Sequence, residues 1–264
     1  MNVEVVFLPP IATDLSSKLC VVIDVLRATS TLVSMVEAGA GVVTLAESIP
    51  AALEDADRCG ERPLVCGESG GLPPAGFDLG NSPREFREET VKGRNLCFCT
   101  SNGTRAMQQV VQAPVVLAGS LLNASAVART ALSEAGERGL DIAFICSGDY
   151  MGTKFAIDDA FCAGYLVTQV ERESASHASG SPLTLDESAV AAVRLCRSYL
   201  WEAGVRDPST PPPREAILRA FWESHNAQIL RQVGLAADVE YCAQIDVSSR
   251  VPRLRVEDHV LMIA

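Results

Sequence analysis

The run Cys99-Thr100-Ser101-Asn102-Gly103-Thr104-Arg105 concentrates groups that bind anions. It follows an apolar stretch, Leu96-Cys97-Phe98-Cys99, that reads as a buried strand, and precedes Ala106–Val111, which reads as a helix. A strand, a small polar turn and a helix start form a phosphate-sized site, because free backbone N–H groups and the helix dipole both favour negative charge there. Ser101 and Thr104 add hydroxyls, Asn102, Gly103 and Thr104 add amides, and Arg105 adds a planar fork suited to phosphate or sulfonate. The plainer reading is an ordinary strand–helix turn capped by Ser or Asn, with Arg105 solvated.

Other polar residues also follow apolar runs: Asp24 and Arg27, the stretch from Glu68 to Ser82, Ser120, and the stretch from Ser147 to Asp159. Arg27, Arg105 and Lys154 form a cationic half of this set, and Asp24, Glu68, Asp78, Asp158 and Asp159 an anionic half. Carboxylates beside an anion site call for a cation between them, and hard oxygen ligands with phosphate suit Mg²⁺. The three histidines, His177, His225 and His259, fall in loop-like stretches away from these motifs and lack metal-ligand spacing, which argues against zinc. Each carboxylate also has a structural alternative: a cap or ion-pair partner for Asp24, helix-start charges for Asp158 and Asp159, solvated loop residues for Glu68 and Asp78.

Regular elements must bring these groups together. Val3–Leu8, Leu19–Val25, Val42–Ala46, Pro63–Gly67, Asn95–Cys99, Pro114–Ala118 and Leu140–Cys146 read as strands, several of them continuous apolar runs as in a buried parallel sheet. Helical stretches lie between them: one capped by Thr29, Ser30 or Thr31 and closed at Gly39, one opened by Ser48 and Pro50, one capped by Asn123, and Ala156–Val170. The alternation predicts an α/β fold: a mostly parallel sheet with helices on both faces in three layers, plus a C-terminal helical segment and a short β tail. Ligands in such sheets bind outside the carboxyl ends of the strands, so one rim should collect the polar residues. Residues 1–172 are expected to carry the rim, and 173–264 to supply helices and strands packed on the same core. Glu173–Pro182 reads as a linker, Asp186–Glu202, Arg214–Ser224 and Ala227–Val233 as helices, Asp207–Pro213 as a Pro-rich loop, and Arg253–Ala264 as a hairpin turning at Glu257-Asp258.

The chain has 264 residues, 48% hydrophobic, and a formal net charge of −11. That charge argues against nucleic acid as a partner but leaves room for a small anionic phosphorylated substrate in a locally positive cleft. Nine cysteines, mostly inside apolar runs and in no CxxC pattern, fit free thiols in a reducing cytoplasm. No signal peptide or membrane-length apolar run is apparent. The amphipathic helices after Asp186 can cover the sheet or join a second copy in a homo-oligomer.

Four groups of residues, in order, resemble one known family. They are Ile23-Asp24-Val25-Leu26-Arg27-Ala28-Thr29-Ser30-Thr31; Gly67-Glu68-Ser69-Gly70-Gly71 with Gly76-Phe77-Asp78-Leu79-Gly80-Asn81-Ser82-Pro83; Thr100–Ala106; and Ser147-Gly148 through Lys154 to Asp158-Asp159. With Asp238–Gln244 they resemble the 2-phosphosulfolactate phosphatases over nearly the whole chain. The resemblance implies a Mg²⁺-dependent phosphatase that converts 2-phospho-3-sulfolactate to 3-sulfolactate, a step toward coenzyme M. Asp24, Glu68, Arg27 and Arg105 are then the catalytic candidates. Asn81, Ser82, Ser101, Asn102, Gly103, Thr104 and Lys154 would bind substrate, and Asp24, Glu68, Asp158 and Asp159 would bind metal. Whether Asp24 is a ligand or a nucleophile stays open; Leu26 stands where a haloacid-dehalogenase-type phosphatase has its second Asp. Two other readings compete. Cys99 and Arg105 have the spacing of a cysteine-phosphatase loop, and a phospho-metabolite binding module would keep the anion site without catalysis.

Overall fold

Side chains that alternate along the strands enter different apolar layers, and this alternation builds the molecule. The computed structural model describes residues 1–9, 14–176, 183–207, 210–257 and 260–263. Its strands are β1 (Asn2–Val6), β2 (Lys18–Ile23), β3 (Val43–Leu45), β4 (Leu64–Gly67), β5 (Leu96–Cys99), β6 (Val115–Gly119), β7 (Asp141–Cys146), β8 (Thr184–Leu185), β9 (Leu254–Glu257) and β10 (Val260–Ile263). Its helices are α1 (Ala28–Glu37), α2 (Ile49–Arg58), α3 (Glu88–Val91), α4 (Gly103–Gln109), α5 (Ala124–Arg138), α6 (Ile157–Ser176), α7 (Glu187–Glu202), α8 (Arg214–Trp222), α9 (His225–Gln232) and α10 (Ala236–Cys242).

The expected α/β architecture is present, with its strands divided between two five-stranded sheets. The first has the order β6-β2-β7-β1-β8, and every pairing in it is parallel. Leu19, Val21 and Ile23 of β2, with Ile142, Phe144 and Cys146 of β7, pack into a core shared with α5 and α6. Cys20, Val22, Ala143 and Ile145 point the other way, toward α1 and α4. The second sheet, β4-β5-β3-β10-β9, closes the far side of that middle layer through Leu96 and Phe98. It turns Cys97 and Cys99 toward Ala52 and Ala56 of α2. Fully burying a side chain such as Phe98 or Phe144 contributes about 1.5–3 kcal/mol, so these strands lie at the centre. β3, β4 and β5 are parallel, and β10 joins them antiparallel as one arm of the tail hairpin.

The C-terminal helices cover the molecule's own core: α7 packs on α6 and β1, and α8 packs on α6. Helix α6 runs on to Ser176, into the stretch read as a linker, and residues 177–182 of that stretch lie outside the described residues. So do 208–209 of the Pro-rich loop, Asp258 of the hairpin turn, Pro10, His177 and His259. The α10 helix is a feature that the sequence reading left out. Ser48 and Asp186 cap α2 and α7 through their side chains. Helix α1 differs from expectation: Thr29, Ser30 and Thr31 lie inside it, and the Asp24 carboxylate accepts from the Ala28 amide at 3.2 Å. Asn123 also does not cap its helix; its amide donates to Ala118 and Arg250 carbonyls and ties the C-terminal segment to β6.

Candidate active site

Both sheets deliver their carboxyl ends to one rim. Asp24 follows β2, Glu68 follows β4, Ser101 and Asn102 follow β5, and Asp149 follows β7; all line one cavity of about 240 Å³. Arg27, Asn81, His225, Asn226, Ile229 and Leu230 complete much of its wall.

Asp24 is buried at the head of α1. Burial pushes its carboxyl up to about 7, the charges of Glu68 and Asp158 push the same way, and the Ala28 amide and Arg27 oppose them. Gly103 lets the start of α4 come this close. A Cβ there would stand 2.4 Å from Ala28 Cβ and 2.7 Å from Asp24 Oδ2.

Asp158 and Asp159, adjacent in the first turn of α6, have different surroundings. Asp159 is saturated: Oδ1 accepts from the Val25 amide at 2.9 Å, and Oδ2 accepts from Ser147 Oγ at 3.0 Å and the Gly148 amide at 3.2 Å. It pins the loop after β7 to the loop after β2. Its carboxyl is still pushed well up, by burial first and then by the charges of Asp158 and Asp24. Asp158 is fully buried, and neither of its oxygens has a hydrogen-bond partner at bonding geometry among the described residues. Burial pushes it up to about 6; the Asn226 side chain and the amides of Asp158 and Asp159 lie near enough to moderate the shift, and Asp149 adds to it.

Glu68 is held from two sides. Oε1 accepts from the Ser101 amide at 2.8 Å and Oε2 from the Gly71 amide at 2.9 Å. Gly70 and Gly71, with φ of 62° and 86°, form the two-residue turn between Ser69 and Leu72 that aims this amide back at Glu68. The Gly71 carbonyl accepts from Arg27 Nη2 at 2.7 Å. Arg27, read from sequence as an anion-binding cation, is buried and paired with Asp238 of α10 at 2.7 Å. Asp238 also accepts from Ser82 Oγ at 2.7 Å, so the Ser82 hydroxyl is committed to this pair. Asn81 lines the cavity, and its buried Oδ1 has no partner among the described residues.

The Thr100–Arg105 turn faces a second, adjoining cavity of about 560 Å³, which shares Glu68, Ser101 and Met151 with the first. Arg105 is exposed and lines this second space with Ser48, Gln108 and Gln109. Thr104 is buried, and its hydroxyl donates to the Thr100 carbonyl at 2.9 Å, so it stabilises the turn. Cys99 packs with Cys97 against α2, and burial pushes its thiol up to about 11, with the Cys97 and Glu68 charges adding to the shift. That environment opposes thiolate formation and argues against the cysteine-phosphatase reading. Asp78 lies outside both cavities, bonded to Arg62 and the Val65 amide at 2.8 Å each.

The same cavity holds residues that the sequence reading missed. His225, placed by that reading in a loop away from the motifs, opens α9 and puts Nδ1 2.7 Å from Asp149 Oδ2. Its Nε2 is 3.2 Å from the Tyr150 hydroxyl, and the two rings stack at 5.0 Å. Lys154 sits with Nζ 3.8 Å over the Tyr150 ring, at the rim. A histidine after Ser224, a good cap residue, and an aspartate after a strand were the available signals, but only the folded chain joins them.

A metal would have to draw on these carboxylates. Among the described residues no three His, Cys, Asp or Glu side chains already stand as a metal cluster. The donor chemistry nonetheless fits a hard divalent cation. The charges of Glu68 and Asp158 both push the Asp24 carboxyl up, and Arg27 is spent on Asp238. Neither Asp158 oxygen has a hydrogen-bond partner among the described residues, although Asp158 lines a neighbouring cavity with Asp149 and His225. Asp159, with both oxygens bonded, is the poorest ligand of the four.

The sequence comparisons agree with this arrangement of motifs. The family model described as 2-phosphosulpholactate phosphatase matches residues 9–257. A protein of Carboxydothermus hydrogenoformans named "probable 2-phosphosulfolactate phosphatase" is 32% identical over 263 residues, covering 100% of this chain and 97% of its own. Proteins of the same name from Thermus thermophilus and Pseudothermotoga lettingae are 37% identical (89% of this chain, 86% of theirs) and 33% identical (98% of each). Matched over most of its length by these relatives and by the family model, this chain belongs to the 2-phosphosulpholactate phosphatase family.

Proposed function

We propose that this protein is a Mg²⁺-dependent phosphoric monoester hydrolase that converts 2-phospho-3-sulfolactate to 3-sulfolactate and phosphate. The observation that carries the reading is the cavity in which Asp24 and Glu68 face Ser101 and Asn102, in a chain of this family. The product would feed toward coenzyme M, as the family resemblance implies. Eight of the nine cysteines are buried free thiols, which supports a reducing compartment, the cytoplasm. Among the described residues no helix is long and apolar enough to cross a membrane.

Asp24, Glu68 and Asp158 would hold the cation, which when bound supplies positive charge to offset both the carboxylates and the substrate phosphate. The chain's own groups do the rest. Asp24 lines the cavity with Ser101 and Asn102 and can orient an attacking water there. Ser101 and Asn102 offer donors to the phosphoryl oxygens, and Arg27, through the Gly71 turn, holds Glu68 in place. Arg105 and Gln108 in the adjoining cavity suit the second anionic group of the substrate, its sulfonate.

The test is phosphate release from 2-phospho-3-sulfolactate and from an aryl phosphate, each with Mg²⁺ and with EDTA. Chelator-sensitive release favouring the sulfolactate ester supports metal and substrate together. Release from the aryl ester alone discards the substrate, release indifferent to EDTA discards the metal, and ligand binding without release leaves a binding module.

A further inference from the structure

The cavity that Asp24 lines also carries an aspartate–histidine pair. Asp149 is buried and closely held: its amide donates to the Lys154 carbonyl at 2.8 Å, and its Oδ1 accepts from the Tyr150 amide at 2.7 Å. Gly148 makes this loop possible, with φ of 67° and a Cβ position only 2.7 Å from the Lys154 carbonyl oxygen. The other carboxylate oxygen takes His225 Nδ1 at 2.7 Å, while Ser224 accepts from the Ala227 amide and fixes the helix start that carries the ring. An imidazole whose Nδ1–H is given to a carboxylate has a defined tautomer and orientation, leaving Nε2 for chemistry. His225 and Asp149 line the same cavity as Asp24 and Glu68.

We propose that His225 is the general acid that protonates the leaving oxygen, with Asp149 as its positioning residue. This rests on the phosphatase reading and adds a role for the Asp149–His225 pair. A phosphoester lying across the cavity places phosphorus near Asp24, Ser101 and Asn102 and its alcohol oxygen toward His225. Water attacks phosphorus from the Asp24 side, forming a new P–O bond as the ester P–O bond breaks. The electron pair of that bond goes to the alcohol oxygen, which takes the proton from Nε2 of the imidazolium. The proton lost by the water passes to solvent, and solvent recharges His225. Ester and water are consumed, alcohol and phosphate are formed, and no redox change occurs. The Tyr150 hydroxyl, 3.2 Å from Nε2 on a side chain 47% exposed, marks the position that the leaving oxygen takes.

Leaving-group dependence tests this. An alkyl ester such as 2-phospho-3-sulfolactate needs a proton on its leaving oxygen, whereas 2,4-dinitrophenyl phosphate releases a stable anion. His225→Ala and His225→Gln should lower kcat for the alkyl ester by about 10²–10⁴ and leave the dinitrophenyl ester nearly untouched. Asp149→Asn should show the same selectivity in weaker form, and retained dinitrophenyl activity shows that each variant is folded. Equal loss on both esters, or loss on neither, overturns the assignment. So does Tyr150→Phe losing alkyl-ester turnover while His225→Ala keeps it, which would make the tyrosine the donor. Wild-type protein releasing phosphate from neither ester refutes the phosphatase reading itself, and this role with it.

Discussion

Removing Asp238 should destabilise this protein more than almost any other single polar substitution. Its carboxylate is fully buried, holds Arg27 at 2.7 Å and accepts from Ser82 at 2.7 Å. The Arg27 side chain is only 2% exposed, so Asp238→Ala strands a buried guanidinium whose remaining partner is the Gly71 carbonyl. Breaking one side of a buried pair costs about 3–5 kcal/mol, and the lost Ser82 bond adds about 1 kcal/mol. At about 2–4 °C per kcal/mol for a chain of this size, Tm should fall by roughly 8–24 °C. Urea unfolding followed by circular dichroism measures the change, with an unaltered m-value showing that the native fold is retained. The double variant Arg27→Met/Asp238→Leu removes both charges and should recover most of the loss. Activity should not return with it, because Arg27 also anchors the Gly71 turn that holds Glu68. A loss below about 1 kcal/mol for Asp238→Ala, or a double variant no better than the single, would refute the view that the stranded charge sets the cost.

The acid cluster gives stability a pH dependence of definite sign. Asp24 and Asp158 are raised from 3.8 to about 7 and about 6, and Asp159 is raised well above 3.8, so the native state binds more protons than the unfolded one. Without divalent cation, stability should therefore fall as pH rises from about 4 through about 7; Asp24→Asn should flatten the slope, and stability rising across that window would contradict it. Gly103→Ala forces a methyl group against Ala28 and Asp24, and should cost about 1–3 kcal/mol in unfolding free energy together with most of the turnover. Cys99→Ser should retain chelator-sensitive phosphate release, since the thiol is buried against α2 with its ionisation pushed up; complete loss in a folded variant would restore the thiol mechanism.

What the sequence makes legible follows from the range of each signal. Alternation announced β1 and apolar runs announced β2, β6 and β7, leaving only the two-residue β8 of the parallel sheet unread, and the rule that ligands meet the carboxyl ends of strands placed Asp24, Glu68, Ser101 and Asn102 on one rim. Local spacing carries no information about pairs made across the fold. Asp238 meets Arg27 from 211 positions away, and so converts an expected catalytic cation into a buried strut. His225 meets Asp149 from 76 positions away, through a helix start that was read as a loop. Asp158 and Asp159 show the same limit at the shortest range. As sequence they are one acidic pair favouring a helix N-terminus, but consecutive helical residues do not share a face. One carboxylate therefore turns into three donors that lock two loops together, and the other is buried with no hydrogen-bond partner among the described residues. A buried charge without a partner lowers stability unless something else offsets it. Asp158, more than its saturated neighbour, is accordingly where this fold gives up stability.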